Sequence, residues 1–284
     1  MNSFVNDFVR ERVCVYSPLP WANNFKDLIN YADQRGFCGV EFLNYGEMET
    51  PDMEAACSLG ALAKAKGLTL PCFSVGLSIV GPDGRNNIER VKKYAEIASR
   101  LEIPYLHHTV ALKFSTRYTP EEMARYFDEG VEATLEIGEY AKKLGVKTVV
   151  EDQGFVVNGV ENYGRFRKCA NNCFDVLLDV GNIYFADETA GAFAEAFGDD
   201  IVHAHIKEYY ITKDDPGSSP TYRSAKGSYI STAIAGEGDV DLERVRSLLA
   251  KVDYRGKYSL EYTLKDHTEM ERTLEYLANL FGKM

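Results

Sequence analysis

The stretch from residue 147 to residue 208 decides the fold. It contains Lys147-Thr148-Val149-Val150-Glu151, Val176-Leu177-Leu178-Asp179 and Ile201-Val202-His203-Ala204-His205-Ile206-Lys207-Glu208. These are three short apolar runs, each ending in charge, separated by segments of helical spacing at 162–171 and 187–197. Short apolar runs alternating with amphipathic segments are the sequence form of a parallel sheet covered by helices. The alternation continues outward. Further runs stand at 13–16, 39–43, 70–75 and 105–110 upstream and at 258–262 downstream. Helices are expected at 24–35, 52–66, 87–101, 120–144, 241–252 and 267–281. Pro120 at a first turn and Gly36, Gly67 and Gly145 just past helix ends supply the punctuation.

Eight strand–helix units in strict alternation predict an α/β chain closed as a single (β/α)8 TIM barrel. The competing open, doubly wound sheet calls for a glycine fingerprint after an early strand. Gly36, Gly39, Gly81 and Gly84 have the wrong spacing for it. On this reading residues 1–284 are one domain, with residues 1–12 an N-terminal extension. Residues 212–239, rich in Gly, Ser, Pro and Asp, form a long loop after the seventh strand and are a candidate lid.

Composition narrows the function. With 45% hydrophobic and 26% charged residues the chain is of ordinary globular make-up rather than disordered. A net charge of −11 (32 basic against 43 acidic residues) disfavours a nucleic-acid partner. No apolar run approaches the roughly 20 residues of a membrane span, and Met1 to Arg12 lacks an apolar leader. The expectation is therefore a cytoplasmic chain, away from membranes, with its six cysteines reduced. Cys169 and Cys173 have no companion pair at metal-finger spacing, so they carry no zinc-site reading.

In barrels of this kind the site lies at the carboxyl ends of the strands. The fifth to eighth runs end in or reach Glu151, Asp179, His205 and Glu261. Three carboxylates crowded on one rim repel one another, and a divalent cation is the simplest compensation. Oxygen-rich ligation with one imidazole suits manganese, cobalt or magnesium, with zinc admissible. By strand parity His203, His205 and Lys207 share one face. Substrate contacts are expected from Lys207, Glu41, Trp21, Asn182 and one of His107 and His108, with His107 taken as the inward one. Lys207 and Glu41 also admit a plain ion-pair reading, His203 that of a buried partner to His205, and Trp21 that of packing. Arg85, Lys113 and Arg117 fall on loops of the mouth side, and His267 opens the last helix as a surface residue.

These residues carry a resemblance. Val149-Val150-Glu151, Leu178-Asp179-Val180-Gly181-Asn182, His203-Ala204-His205-Ile206-Lys207-Glu208, Gly236-Glu237-Gly238-Asp239-Val240-Asp241 and Tyr258-Ser259-Leu260-Glu261 together resemble the xylose isomerase-like barrel superfamily. The superfamily contains sugar and sugar-phosphate isomerases and epimerases, and the resemblance covers nearly the whole chain. It implies that Glu151, Asp179, His205 and Glu261 hold one divalent metal and that Glu151 and Glu261 exchange a proton next to a substrate carbonyl through an enediolate; members of the superfamily are often homo-oligomers, which no sequence feature of this chain decides. Asn182 stands where many members have histidine. Val157 and Ile211 stand where ketose 3-epimerases carry glutamate and arginine. The His205-x-Lys207-Glu208 run resembles the inosose dehydratase and hydroxypyruvate isomerase-like branches, so a lyase acting on a keto-polyol is the alternative. An abasic-site endonuclease on the same barrel needs more metals and a basic groove; a non-catalytic sugar-binding barrel would hold no stoichiometric metal.

Overall fold

The structure, a computed structural model, describes residues 7–16, 18–112, 118–217 and 221–282. Helix α1 (Asp7–Arg12) leads into β1 (Val13–Val15), then α2 (Phe25–Arg35), β2 (Gly39–Val40), β3 (Phe42–Leu43) and α3 (Met53–Ala65). There follow β4 (Cys72–Val75), α4 (Gly84–Arg100), β5 (Tyr105–His108), α5 (Pro120–Lys143), β6 (Lys147–Val150) and α6 (Val160–Cys169). The chain continues through β7 (Asp175–Asp179), α7 (Ala190–Phe197), β8 (Ile201–Ile206), β9 (Tyr209–Thr212), β10 (Thr221–Arg223) and β11 (Tyr229–Thr232). It ends with α8 (Leu242–Lys251), β12 (Tyr258–Leu260) and α9 (His267–Phe281).

The main sheet runs β2-β1-β12-β8-β7-β6-β5-β4-β3, with every pair parallel. Its two ends, β2 and β3, are consecutive pieces of one strand, separated only by Glu41. β2 pairs with β1 and β3 with β4, so the ring closes as eight strands. This is the expected (β/α)8 barrel. Local signals set the helices in place. Thr119 and Glu122 form a reciprocal capping box ahead of α5, with Pro120 in its first turn. Asn24 caps α2, and Gly36 ends it in the left-handed region at φ 71°.

Inside the barrel, Cys72, Val149 and Leu177 form an apolar cluster apart from the main core. Ser74, Glu151 and Asp179 stand two residues further along the same strands. Since alternate residues share a face, a polar layer overlies this apolar plug at the carboxyl ends.

Two segments are more ordered than their composition suggests. Residues 7–12 of the N-terminal extension form α1, whose Phe8 ring lies 5.5 Å from Tyr258 and 6.0 Å from Phe281. Residues 1–6 lie outside the described residues. The segment 212–239 is not an irregular loop. It folds with β9 into an antiparallel sheet of order β10-β11-β9, because alternating Tyr, Ile and Thr residues outweigh the flanking Gly and Pro. Asp187, itself at φ 58°, anchors that sheet: its carboxylate accepts from Ser224 Oγ at 2.6 Å, Lys226 N at 2.7 Å and Ser228 Oγ at 3.2 Å. Asp187→Asn keeps a residue that tolerates the left-handed region but removes the charge. The variant should weaken this anchor by about 1–3 kcal/mol, read as faster hydrogen exchange across 221–232 while barrel amides keep their protection. Unchanged exchange there would remove the anchoring role.

Candidate functional site

Three carboxylates and one imidazole meet at the mouth of the barrel. His205 Nδ1 lies 3.1 Å from Glu261 Oε2, 3.5 Å from Glu151 Oε2 and 3.9 Å from Asp179 Oδ2. Glu151, Asp179, His205 and Glu261 each offer one ligand atom, all within 4.8 Å of one another. Strand geometry produces this. Asp179 is the last residue of β7, Glu151 and Glu261 each follow the last residue of β6 and β12, and His205 is the register partner of both Asp179 and Ser259. Lys207 Nζ sits 2.7 Å from Asp179 Oδ2 and 2.9 Å from Glu261 Oε1.

The charges shift one another. Burial, with the neighbouring Asp179 and Glu261 charges, pushes the Glu151 carboxyl up to about 7. Burial alone would also raise Glu261, but Lys207 and His205 outweigh it and hold that carboxyl down at about 2. Burial opposes the charged form of His205 as well, yet Glu41, Glu151 and Glu261 lift its pKa well above the ordinary histidine range. Lys207 and His205 thus form the positive side of a cluster with three buried carboxylates.

These residues fit a divalent cation. Glu151 Oε2, Asp179 Oδ2 and His205 Nδ1 are buried and have no aligned hydrogen-bond partner, although the Lys207 ammonium stands beside Asp179 Oδ2, so three ligand atoms face one point. The donor set, three carboxylate oxygens and one imidazole nitrogen, suits manganese, magnesium, cobalt or zinc. The other carboxylate oxygen of Asp179 is fixed: Oδ1 accepts the N–H groups of Gly181 and Asn182, both at 2.8 Å. Gly181 is needed here, because a Cβ at that position would lie 2.5 Å from Lys207 Cγ and 2.6 Å from the Tyr209 ring.

A cavity of about 540 Å³ reaches Lys207, Asn182 and Glu261, with Leu19, Phe185, Tyr209 and Tyr222 among its walls. Asn182 Oδ1 accepts from Lys207 Nζ at 3.3 Å. His107 is the inward member of its pair, with Nε2 3.6 Å from Glu151 Oε1. His108 turns away and is buried on its own, burial lowering its pKa to about 4. Two expected substrate contacts are placed elsewhere. Glu41 is fully buried beneath the cluster, both its oxygens taken by side-chain donors. Trp21 packs against the rings of His267 at 4.4 Å and Tyr31 at 5.8 Å, because the turn closed by Leu19 and Ala22 directs it toward α2 and α9. The apolar wall falls instead to Phe185, Tyr209 and Tyr222. His267 is exposed at the start of α9, as expected, and its ring also packs on Trp21. Arg85 is paired with Glu136 and Glu89 on the helical exterior. Lys113 and Arg117 lie outside the described residues.

Other site residues escaped the sequence reading. Tyr16 stacks on His205 with ring centroids 4.8 Å apart. It stands two residues after Cys14, so strand parity pointed to it. Tyr222 comes from the inserted sheet and had no signal. Glu208 ties the 236–241 motif to the mouth: its carboxylate accepts from Val240 N at 2.8 Å and Gly236 N at 3.1 Å. Asp239 accepts from Ile211 N at 2.7 Å, and Asp241 accepts from Tyr184 Oη at 3.0 Å. Gly236, at φ 81° against the Tyr276 ring, has no room for a side chain.

Known proteins share this frame. A family model described as a xylose isomerase-like TIM barrel matches residues 29–280. A Haemophilus influenzae protein provisionally named L-ribulose-5-phosphate 3-epimerase SgbU is 23% identical over 247 residues, covering 82% of each chain. The crystal structure of a xylose isomerase domain protein from Planctomyces limnophilus superposes with a TM-score of 0.77 at 15% identity, over 96% of this chain and 98% of that one. The IolI protein, crystallised with a bound zinc atom, superposes with a TM-score of 0.74 at 16% identity, over the same shares. The two structural likenesses are likenesses of fold.

Burial pushes the Glu208 carboxyl from 4.5 up to about 7, against the pull of the N–H groups of Val240 and Gly236. The folded carboxyl therefore holds its proton more tightly than the unfolded one. Its contribution to stability is fully present below pH 4.5 and is lost as pH rises through about 7. Glu208→Gln removes this titration and one acceptor. Its deficit in unfolding midpoint against the parent chain should be largest near pH 5 and shrink by pH 8. An equal deficit at both pH values would refute the assignment.

Proposed function

Because the chain belongs to the xylose isomerase-like TIM barrel family, we propose that it is a divalent-metal-dependent isomerase or epimerase of a sugar or sugar phosphate. The observation that carries this reading is the convergence of Glu151, Asp179, His205 and Glu261 on one point beside an open cavity. The epimerase name of the Haemophilus influenzae relative points to the same substrate class, and the zinc of the IolI structure to a metal in this fold.

Glu151, Asp179, His205 and Glu261 would hold the cation, which supplies positive charge next to a substrate carbonyl and lowers the cost of an enediolate. The chain's own residues do the rest. Glu151 and Glu261 reach the same nitrogen of His205 from different strands, so two carboxylates are within reach of a carbon bound there. One takes the carbon-bound proton and the other returns one. Return to the opposite face gives an epimer, and return to the neighbouring carbon gives an isomer. Lys207 keeps Asp179 and Glu261 oriented and adds a positive charge at the cavity floor. Asn182 and His107 bring polar atoms to the edge of the same space. Phe185, Tyr209 and Tyr222 face the non-polar C–H surface of a sugar and restrict water. Loss of a β-hydroxyl, a dehydration, is the alternative outcome. It is favoured by the Lys207 ammonium, 2.9 Å from Glu261 and placed to protonate a departing hydroxide.

The test is solvent deuterium exchange with a panel of ketoses, their phosphates and keto-polyols. A substrate should take up deuterium next to its carbonyl, in chain carrying one equivalent of divalent metal. Chelation should abolish exchange, and added Mn2+, Co2+, Mg2+ or Zn2+ should restore it. Glu151→Gln and Glu261→Gln should each lower exchange and turnover by at least about 10²-fold with an unchanged circular dichroism spectrum. Full activity in either variant, or turnover by metal-free protein, would sink the proposal.

A further inference from the structure

Beneath the mouth lies a buried hydrogen-bond network whose protons can be counted. The Glu41 carboxylate faces three donors: Ser74 Oγ at 2.5 Å and His205 Nε2 at 3.0 Å on Oε1, and His203 Nε2 at 2.7 Å on Oε2. All four side chains are fully buried or nearly so. Three groups able to give a hydrogen converge on its two oxygens, the surroundings of an ionised acceptor. An ionised carboxylate only accepts hydrogen bonds. Nε2 of His205 therefore carries hydrogen, and a neutral His205 has its lone pair on Nδ1, the atom facing Glu261, Glu151 and Asp179.

The count continues through Ser74. Its single hydroxyl hydrogen is spent on Glu41. Its 2.9 Å contact with His107 Nδ1 must then run the other way, with Nδ1–H donating to Ser74 Oγ. Nothing within hydrogen-bond distance accepts from Nε2, so the ring keeps one hydrogen, the one on Nδ1. Its lone pair is thus on Nε2, which is buried, has no hydrogen-bond partner and lies 3.6 Å from Glu151 Oε1. Once His205 gives up its Nδ1 proton, as a cation bound there requires, the two histidines beside Glu151 are opposite tautomers, and both present a bare nitrogen to the same space.

We propose that Glu41 is a positioning residue that sets both tautomers at once. It keeps the proton of His205 on Nε2, leaving Nδ1 free for a divalent cation, and through Ser74 it keeps the proton of His107 on Nδ1, leaving Nε2 free to accept a hydroxyl hydrogen from a polyol substrate. The metal half and the polyol contact of His107 rest on the function proposed above; the tautomer of His107 does not. Carboxylate partners of this kind orient ligating histidines and fix which ring nitrogen is bare. Glu41 stands at the break between β2 and β3, touches His203 and His205 of β8 directly and reaches His107 of β5 through Ser74 of β4. Glu41 N remains bonded to Val15 O at 2.9 Å, so the ring stays closed there.

The test is long-range 15N–1H spectroscopy of protein labelled at its five histidines. In metal-free protein His107 should be neutral with its proton on Nδ1. After loading with Zn2+, which is diamagnetic, His205 should keep its proton on Nε2. Ser74→Ala should release His107 toward the other tautomer, leave His205 unchanged and hold Zn2+ affinity within about threefold, whereas Glu41→Gln should lower Zn2+ affinity about 10- to 100-fold. A wild-type His107 protonated on Nε2, or an unchanged His107 in the Ser74 variant, overturns the relay. Zn2+ bound through His205 Nε2, or with parental affinity in Glu41→Gln, overturns the metal half. Should Glu41→Gln fail to fold, the wild-type spectra and the Ser74 variant decide the matter alone. A chain that binds no Zn2+ refutes the metal half together with the proposed function, while the His107 tautomer is still decided in metal-free protein.

Discussion

Negative charge gathered in a confined, water-poor space is the constraint on which the rest of this barrel depends. Glu151, Asp179 and Glu261 converge on His205 Nδ1, and one ammonium, Lys207, faces them. Removing such ions from water costs several kcal/mol each unless opposite charge is close and well placed. With His205 neutral the cluster has an excess of two negative charges, which is the charge of the cation its donor set suits. Lys207, the Gly181 and Asn182 N–H groups and the imidazole are partial compensation. Together they keep the carboxylates aimed.

That arrangement is possible because the barrel interior is layered. Cys72, Val149 and Leu177 fill the axis with carbon and sulfur, and the residues two further on form the polar layer above. A dry plug under a charged layer keeps the effective dielectric low and strengthens every interaction within it. It also leaves buried polar groups only one another as partners. Glu41, Ser74, His107, His203 and Ser259 are therefore knitted into one network rather than scattered. Gly181 serves the same end by yielding its side-chain volume to Lys207 and Tyr209.

The inserted sheet gives the mouth its walls. β9, β10 and β11 are held from two sides, by Asp187 through Ser224, Lys226 and Ser228, and by Glu208 through Gly236 and Val240. Tyr209 and Tyr222 are thereby brought over Phe185 beside the carboxylate cluster. The 236–241 motif, which on sequence grounds belongs to the site pattern, acts in this structure as a tether. Its acids bind backbone and tyrosine groups of neighbouring segments.

The eight strand–helix units and their order, the parallel barrel and the four residues that meet at its mouth were legible in the sequence. Each is written in short-range terms: apolar runs of strand length, caps such as Thr119 and Gly36, and the parity that sends His203, His205 and Lys207 to one face. α1, the small sheet at 209–232 and the direction of Trp21 were not. Their conformations depend on partners far along the chain: Phe281 for Phe8, Asp187 for Ser224, His267 for Trp21. Glu41 shows the division most clearly. Strand parity placed it at the mouth, but whether a carboxylate there meets substrate or other side chains depends on how many donors lie within hydrogen-bond reach. Those donors come from β4 and β8, 33 and more than 160 residues away. Alternation along one strand determines which way a side chain points; only closure of the ring decides what it meets.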